Sequence, residues 1–153
     1  MTLVDLTLLI AAVNTRAPMH KAARDWWEEQ LNGETPIGLS WLVILGFIRL
    51  TTHSKIMPEP LLLADAVAMI DEWLRRPNVK MVQVTAQHWN ILQNMLHAVG
   101  HGAALTMDAH LACLAIEHDA EIATADEDFS HFPGLKWRNP LKPDPAAESS
   151  AQE

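Results

Sequence analysis

The sequence predicts an α/β fold: a three-layer α/β/α domain with a central parallel β-sheet. Short apolar runs at Thr2–Val4, Val79–Val84 and Ala120–Ala125 read as strands. Longer amphipathic stretches separate them, and strands alternating with helices pair in parallel beneath helices on both faces. Acids stand where these elements meet: Asp5, Asp108, Asp126 and Asp128 each lie at a strand end or a helix start. In an open α/β sheet that edge is where ligands bind.

In chain order, Val4 to Val13 reads as a strand passing into a short helix, with Thr7 able to cap it. His20 to Leu31 is a second helix, apolar at Ala23, Trp26, Trp27 and Leu31, and Gly33 ends it. Thr35 to Gly38 makes a short connection or strand. Ser40 then caps a helix whose sequence, Trp41 to Ile48, is apolar on every side, as expected of a helix buried in the domain. Pro58 and Pro60 open a helix to about Arg76, with Leu62, Ala66, Met69, Ile70, Trp73 and Leu74 on one face. Pro77 stops it. After the strand at Val79–Val84, Thr85 caps a helix through Leu96 that Gly100 and Gly102 end, and Thr106 caps another to His118. Five of the six Trp, namely Trp26, Trp27, Trp41, Trp73 and Trp89, fall in these apolar stretches and are expected in the core. Only Trp137 stands outside a predicted helix.

A chain of 153 residues with 49% hydrophobic content suits one domain. Its expected limits are residues 1–139, because 140–153 contain Pro, Ala, Ser and Glu with almost no large apolar side chain, a composition of disorder. Asp and Glu outnumber Lys and Arg by 19 to 11, which argues against a broad basic groove for nucleic acid. A cation held by the acids reverses the local field, so a nucleic-acid substrate stays open. The one Cys, Cys113, reads as a small buried apolar residue within a helix. The amino-terminal stretch does not read as a signal peptide, and no run approaches the roughly 20 apolar residues of a membrane span. A cytoplasmic protein is the expectation.

Each acid has a plain structural explanation when taken alone. Asp5 at a strand end can cap a helix, Asp108 in a first turn favours the helix dipole, and Asp-x-Asp at Asp126 and Asp128 is common in turns. Their joint occurrence points to a divalent cation. Oxygen ligands without Cys or paired His suit Mg²⁺ or Mn²⁺, and such a site can activate water for phosphodiester hydrolysis. The eight His form no zinc pattern: His97 and His101 are four apart, but Gly100 breaks the helix between them.

Four segments carry a family resemblance: Thr2-Leu3-Val4-Asp5-Leu6-Thr7-Leu8-Leu9, Leu45-Gly46-Phe47-Ile48-Arg49-Leu50-Thr51-Thr52, Met107-Asp108-Ala109-His110-Leu111-Ala112, and Ala123-Thr124-Ala125-Asp126-Glu127-Asp128-Phe129. Together, with Phe132-Pro133-Gly134-Leu135, they resemble a PIN-domain ribonuclease of the VapC toxin family of type II toxin-antitoxin systems. The resemblance runs from Met1 to about Asn139 and implies an Mg²⁺- or Mn²⁺-dependent endoribonuclease, a homodimer, an RNA substrate and an antitoxin partner that covers the active site. It implies metal ligation by Asp5, Asp108 and Asp126, an auxiliary or capping role for Asp128, and a hydroxyl at Thr124 that positions water. It also exposes a departure: many relatives carry an acid where this chain has Gly46, so a catalytically impaired module that binds antitoxin or RNA is the alternative. Thr7 likewise replaces an Asn often seen there. Arg49, three residues after Gly46 on one helix face, is placed near the phosphate path, while a helix-closing surface Arg explains it equally well. His20, Lys21 and Arg24 are expected to face solvent.

Overall fold

The computed structural model describes residues 1–143. Strand β1 (Thr2–Val4) leads into α1 (Leu6–Val13) and α2 (His20–Asn32), and β2 (Ile37–Leu39) into α3 (Trp41–Thr51) and α4 (Leu63–Leu74). Strand β3 (Val79–Met81) is followed by α5 (His88–Val99) and α6 (Thr106–Glu117), and β4 (Glu121–Ala123) and β5 (Lys136–Arg138) complete the sheet. Its order is β3-β2-β1-β4-β5 and every pairing is parallel.

This order fixes where a site can form. The chain steps from β1 to β2 to β3 in one direction, then returns across the sheet to β4. Right-handed crossovers therefore put α1 to α4 on one face and α5 with α6 on the other, in keeping with the packing of α1 on α2 and α3, α3 on α4, and α5 on α6. The direction of travel reverses between β1 and β4, so the crevice at their carboxyl ends is the topological switch point. Leu3, Ile37 and Ile122 are wholly buried at the centre of the sheet.

Ser40 caps α3 as expected, its Oγ accepting from the Val43 N–H at 3.2 Å. Gly100, with φ +80°, ends α5 in the left-handed conformation that glycine adopts without strain and separates His97 from His101. Three expected threonine caps are corrected. Asp5, not Thr7, caps α1; Thr85 receives the Gln87 N–H one turn before α5 begins at His88; and Thr106 is the first residue of α6. Helix α4 begins at Leu63, after the two prolines, and Leu62 ahead of it is exposed. Strand β3 ends at Met81 rather than Val84, because Val84 already stands in solvent.

The expectation of a helix buried on every side fails for α3, where Trp41 and Leu45 on one stripe are 54% and 61% exposed. Trp89 on α5 is also exposed, whereas Trp26, Trp27 and Trp73 are buried in a chain of contacts, Trp26 tilted against Trp27 and Trp73 meeting both Trp27 and Phe47 edge to face. Trp137 belongs to β5, an edge strand that the sequence reading omitted. Residues 140–142 fold back on the domain: Leu141 packs on the core, and Lys142 pairs with Glu127. The remainder of the expected tail, 144–153, lies outside the described residues. Cys113 is fully buried, and burial together with Glu117 pushes its thiol up to about 11, as befits an inert apolar side chain. Among the described residues no helix is long and apolar enough to cross a membrane.

Candidate active site

Asp5 leaves β1 at the switch point, held by its N–H on the Ala123 carbonyl at 2.9 Å. Its carboxylate is 6% exposed and divides its labour. Oδ2 accepts from Thr7 Oγ1 at 2.6 Å, from Thr124 Oγ1 at 2.7 Å and from the Thr7 N–H at 3.4 Å. Oδ1 takes no hydrogen bond from the described residues, and Asp5 lines the cleft above the sheet. One oxygen is thus anchored while the other is left for a ligand.

The two hydroxyls also bind the β1 and β4 strand ends together. Thr124 is wholly buried and receives the Asp126 N–H at 2.9 Å, and Thr7 Oγ1 receives the Ala125 N–H at 3.2 Å. Thr7 does more than the cap that Asp-x-Thr suggests: its hydroxyl turns back to the acid and across to the neighbouring strand. Asp126 lines the same cleft, while its Oδ1 caps the following 3₁₀ turn by accepting the Asp128 N–H at 2.9 Å. Asp128 is exposed on that turn, outside the cleft lining, but close enough for its charge to be felt within it.

Asp108 enters from the opposite helical layer, on the first turn of α6, and completes the set. Its carboxyl is raised from 3.8 to about 6, first by burial and then by the negative charges of Asp5, Asp126 and Asp128. A carboxyl shifted by burial and crowded like charges within a cleft is a common feature of functional sites. Among the described residues no three His, Cys, Asp or Glu side chains stand close enough to ligate one ion by themselves. The donors the cleft offers are all carboxylate oxygens, the ligand type that hard divalent ions such as Mg²⁺ take together with retained waters.

The cleft has a volume of about 500 Å³ and includes Gly46 and Arg49 of α3 among its lining. A Cβ at Gly46 would stand 2.6 Å from Leu6 Cδ2, so the leucine occupies the space beside the glycine. Arg49 is exposed at this cleft and makes no hydrogen bond or ion pair among the described residues. Lys21 and Arg24 instead pair with Asp25 on the helix surface, and His20 Nδ1 donates to the Ala11 carbonyl at 2.9 Å.

A second polar cluster joins α5 to α6, and the sequence reading found no pattern in it. Glu117 accepts from the Thr85 N–H at 3.2 Å, from its hydroxyl, and from His88 Nδ1 at 2.6 Å; His88 Nε2 lies 2.8 Å from His110 Nδ1. The partners are 22 to 32 residues apart, so no local spacing reveals them.

Comparison with known proteins agrees with this geometry. The PIN domain family model matches residues 2–135. The chain is 41% identical to Ribonuclease VapC33 of Mycobacterium tuberculosis over 142 residues, covering 93% of this chain and 99% of that protein. It is also 41% identical over 140 residues to Ribonuclease VapC37 of the same organism, covering 92% and 97%. The fold is shared with VapBC2 from Rickettsia felis bound to a promoter DNA fragment, at TM-score 0.64 and 18% identity, covering 90% of this chain and 97% of that one. The sarcin-ricin loop cleaving toxin VapC20 of M. tuberculosis gives TM-score 0.64 at 17% identity, covering 89% and 99%. With a matching family model over most of its length, close relatives along nearly the whole chain and acids converging at the switch point, the chain belongs to the PIN-domain family, in its VapC ribonuclease group.

Proposed function

We propose that this protein is the toxin of a type II toxin-antitoxin pair and an endoribonuclease that hydrolyses RNA phosphodiester bonds with Mg²⁺ or Mn²⁺. The observation that carries this reading is the convergence of Asp5, Asp108 and Asp126 on one cleft, with Asp5 Oδ1 left unpartnered. Asp5, Asp108 and Asp126 would hold the ion in part through its retained waters, since the three do not close on one point by themselves. When bound, it supplies the positive charge that activates water and offsets charge on the leaving oxygen. Thr124 acts through Asp5 as a positioning residue, together with Thr7, because their hydroxyls fix Oδ2 and leave the other oxygen directed to the ligand. Asp128 adds negative charge from the adjoining turn, and Arg49 is the cation for a substrate phosphate.

Single-stranded or looped RNA is the favoured substrate, since its flexible backbone can bend into a small cleft that a stiff duplex enters poorly. The relatives' names, and the VapBC assemblies that share the fold, support an antitoxin protein as partner; a homodimer and a cytoplasmic location complete the proposal. Purified protein is expected to cut RNA in Mn²⁺ and to stop on addition of a chelator, with Asp5→Asn lowering the rate at least about 100-fold. Cutting that persists unchanged in the chelator would falsify the metal mechanism. Gly46 favours a second reading, a module that binds antitoxin or RNA with impaired catalysis, because Leu6 fills the space beside it.

A further inference from the structure

The lining of the candidate cleft is only partly acidic. Leu6, Ile10, Leu42, Val43, Leu50 and Met107 contribute an apolar lining that the three acids and Arg49 do not account for. Its volume of about 500 Å³ lies within the roughly 300–1,000 Å³ of small-ligand pockets. Met107 is 56% exposed although it sits beside Asp108, and an adaptable thioether makes favourable contacts with aromatic rings. Leu6 lying over Gly46 makes part of this wall apolar instead of carboxylate.

We propose that this apolar part of the cleft is a subsite for one unstacked nucleobase of the RNA, next to the phosphate being cut. The inference rests on the ribonuclease reading and specifies how its substrate is held. A nucleotide is the ligand that matches the whole lining: a flat apolar base for the leucines, isoleucine and methionine, one flanking phosphate for the unpaired Arg49, and another at the acid cluster with its cation. Double-stranded RNA keeps its bases stacked, so the subsite selects single-stranded loops by demanding a base that can leave the stack. The hydroxyls of Thr7 and Thr124 are engaged by Asp5 and the following turn. The apolar part of the slot therefore meets the face of the base through aliphatic contacts.

The test uses the full chain and single-stranded oligoribonucleotides in which one nucleotide at a time is abasic or is 2-aminopurine. With Mn²⁺, an abasic nucleotide at one position beside the cut is expected to lower kcat/KM about 10-fold, the scale of losing the burial of one base against an aliphatic wall. Abasic nucleotides elsewhere should change it little. With Ca²⁺ used to measure binding, 2-aminopurine at that position should change its fluorescence, and Ile10→Trp and Leu42→Trp, which fill the slot from different helices, should remove the change. Circular dichroism melts identify either variant that fails to fold, and the abasic scan on the unaltered protein decides independently of both. Cleavage that is insensitive to every abasic nucleotide overturns the subsite and leaves the ribonuclease reading intact. A position-specific fluorescence change without cleavage of any RNA overturns the ribonuclease reading and, with it, the subsite's place beside a cut phosphate. An apolar peptide that protects the slot while RNA produces no fluorescence change gives it to a protein partner and overturns the proposal.

Discussion

Asp108 and Glu117 occupy the first and last turns of the same helix, α6, and each behaves contrary to its position on that helix. The positive end of a helix dipole should favour an ionised Asp108, and the negative end should disfavour an ionised Glu117. Instead Asp108 is raised to about 6, and Glu117 is lowered below 4.5. Local company outweighs the dipole in both cases. Burial and three neighbouring carboxylates oppose charge on Asp108; burial also opposes charge on Glu117, but hydrogen bonds from Thr85 and His88 overcome it. The two ends teach how a structural carboxylate differs from one kept for a ligand. Glu117 has its donors within the fold, while Asp108 has only other acids.

The largest expected effect breaks this contrast by exchanging one acid at a time for its neutral isostere. Asp108→Asn should lower RNA cleavage at least about 100-fold, since one of the carboxylates proposed to hold the charge-offsetting ion is lost. Glu117→Gln should leave cleavage within a few-fold. Glu117→Ala reverses the emphasis: the Glu117 side chain is 1% exposed, and its removal leaves the largely buried His88 without its carboxylate partner. A stability loss of about 3 kcal/mol follows from breaking a buried, hydrogen-bonded pair. Rates and urea unfolding of the same variants check both halves, and equal losses of activity for Asp108→Asn and Glu117→Gln would end the distinction.

The two clusters also differed in how readable they were from sequence. Asp5 and Asp126 were legible because each follows an apolar run at a strand end, and Asp108 because it opens a helix. The Ser40 cap and the break at Gly100 were legible for the same reason, that the signal is local. Glu117 and its two histidines depend on how α5 docks on α6, which periodicity does not encode. Thr7, Thr85 and Thr106 misled because a hydroxyl near a helix start has several acceptors in reach, and the fold chooses among them. Strand β5 was missed because Lys136-Trp137-Arg138 offers one apolar residue on a three-residue edge. Leu45, Trp41 and Trp89 show the remaining limit: apolar character does not say which stripe the neighbouring elements cover.

A smaller effect sharpens the comparison through pH. Asp108 has a folded pKa above its unfolded 3.8, so the metal-free fold loses stability as pH rises from about 4 through 6. Partial exposure limits this to about 1–2 kcal/mol. Glu117 has the opposite sign: its lowered pKa contributes stability that is complete above 4.5 and is lost only as pH falls below that value. His110, lowered by burial and then by His88, likewise contributes stability that fades as pH falls below 6.5. In melts without metal, Asp108→Asn should therefore gain stability over wild type at pH 7 and lose that advantage near pH 4. Saturating Mn²⁺ should reverse the order at pH 7 by binding the wild-type acids. An Asn variant no more stable than wild type at pH 7 without metal would mean that neither burial nor the neighbouring acids penalise the Asp108 charge in solution.

The smallest effect belongs to Gly46, where the acid cluster meets the apolar wall. Alanine there gains up to about 1 kcal/mol of helix propensity, but its Cβ meets Leu6 Cδ2 at 2.6 Å. That atom is the free end of a half-buried side chain, so Leu6 can swing into the cleft, and the net stability change should stay within about 1 kcal/mol. Glutamate has a further consequence. Its carboxylate would join Asp5, Asp108 and Asp126, adding repulsion without metal and a ligand with it, so Gly46→Glu should melt below Gly46→Ala in chelator and recover more on adding Mn²⁺. If the two variants instead respond equally to Mn²⁺, the new acid does not reach the ion. Gly46 then marks an apolar wall of the cleft rather than a missing ligand, and the reading of a catalytically impaired module loses its support.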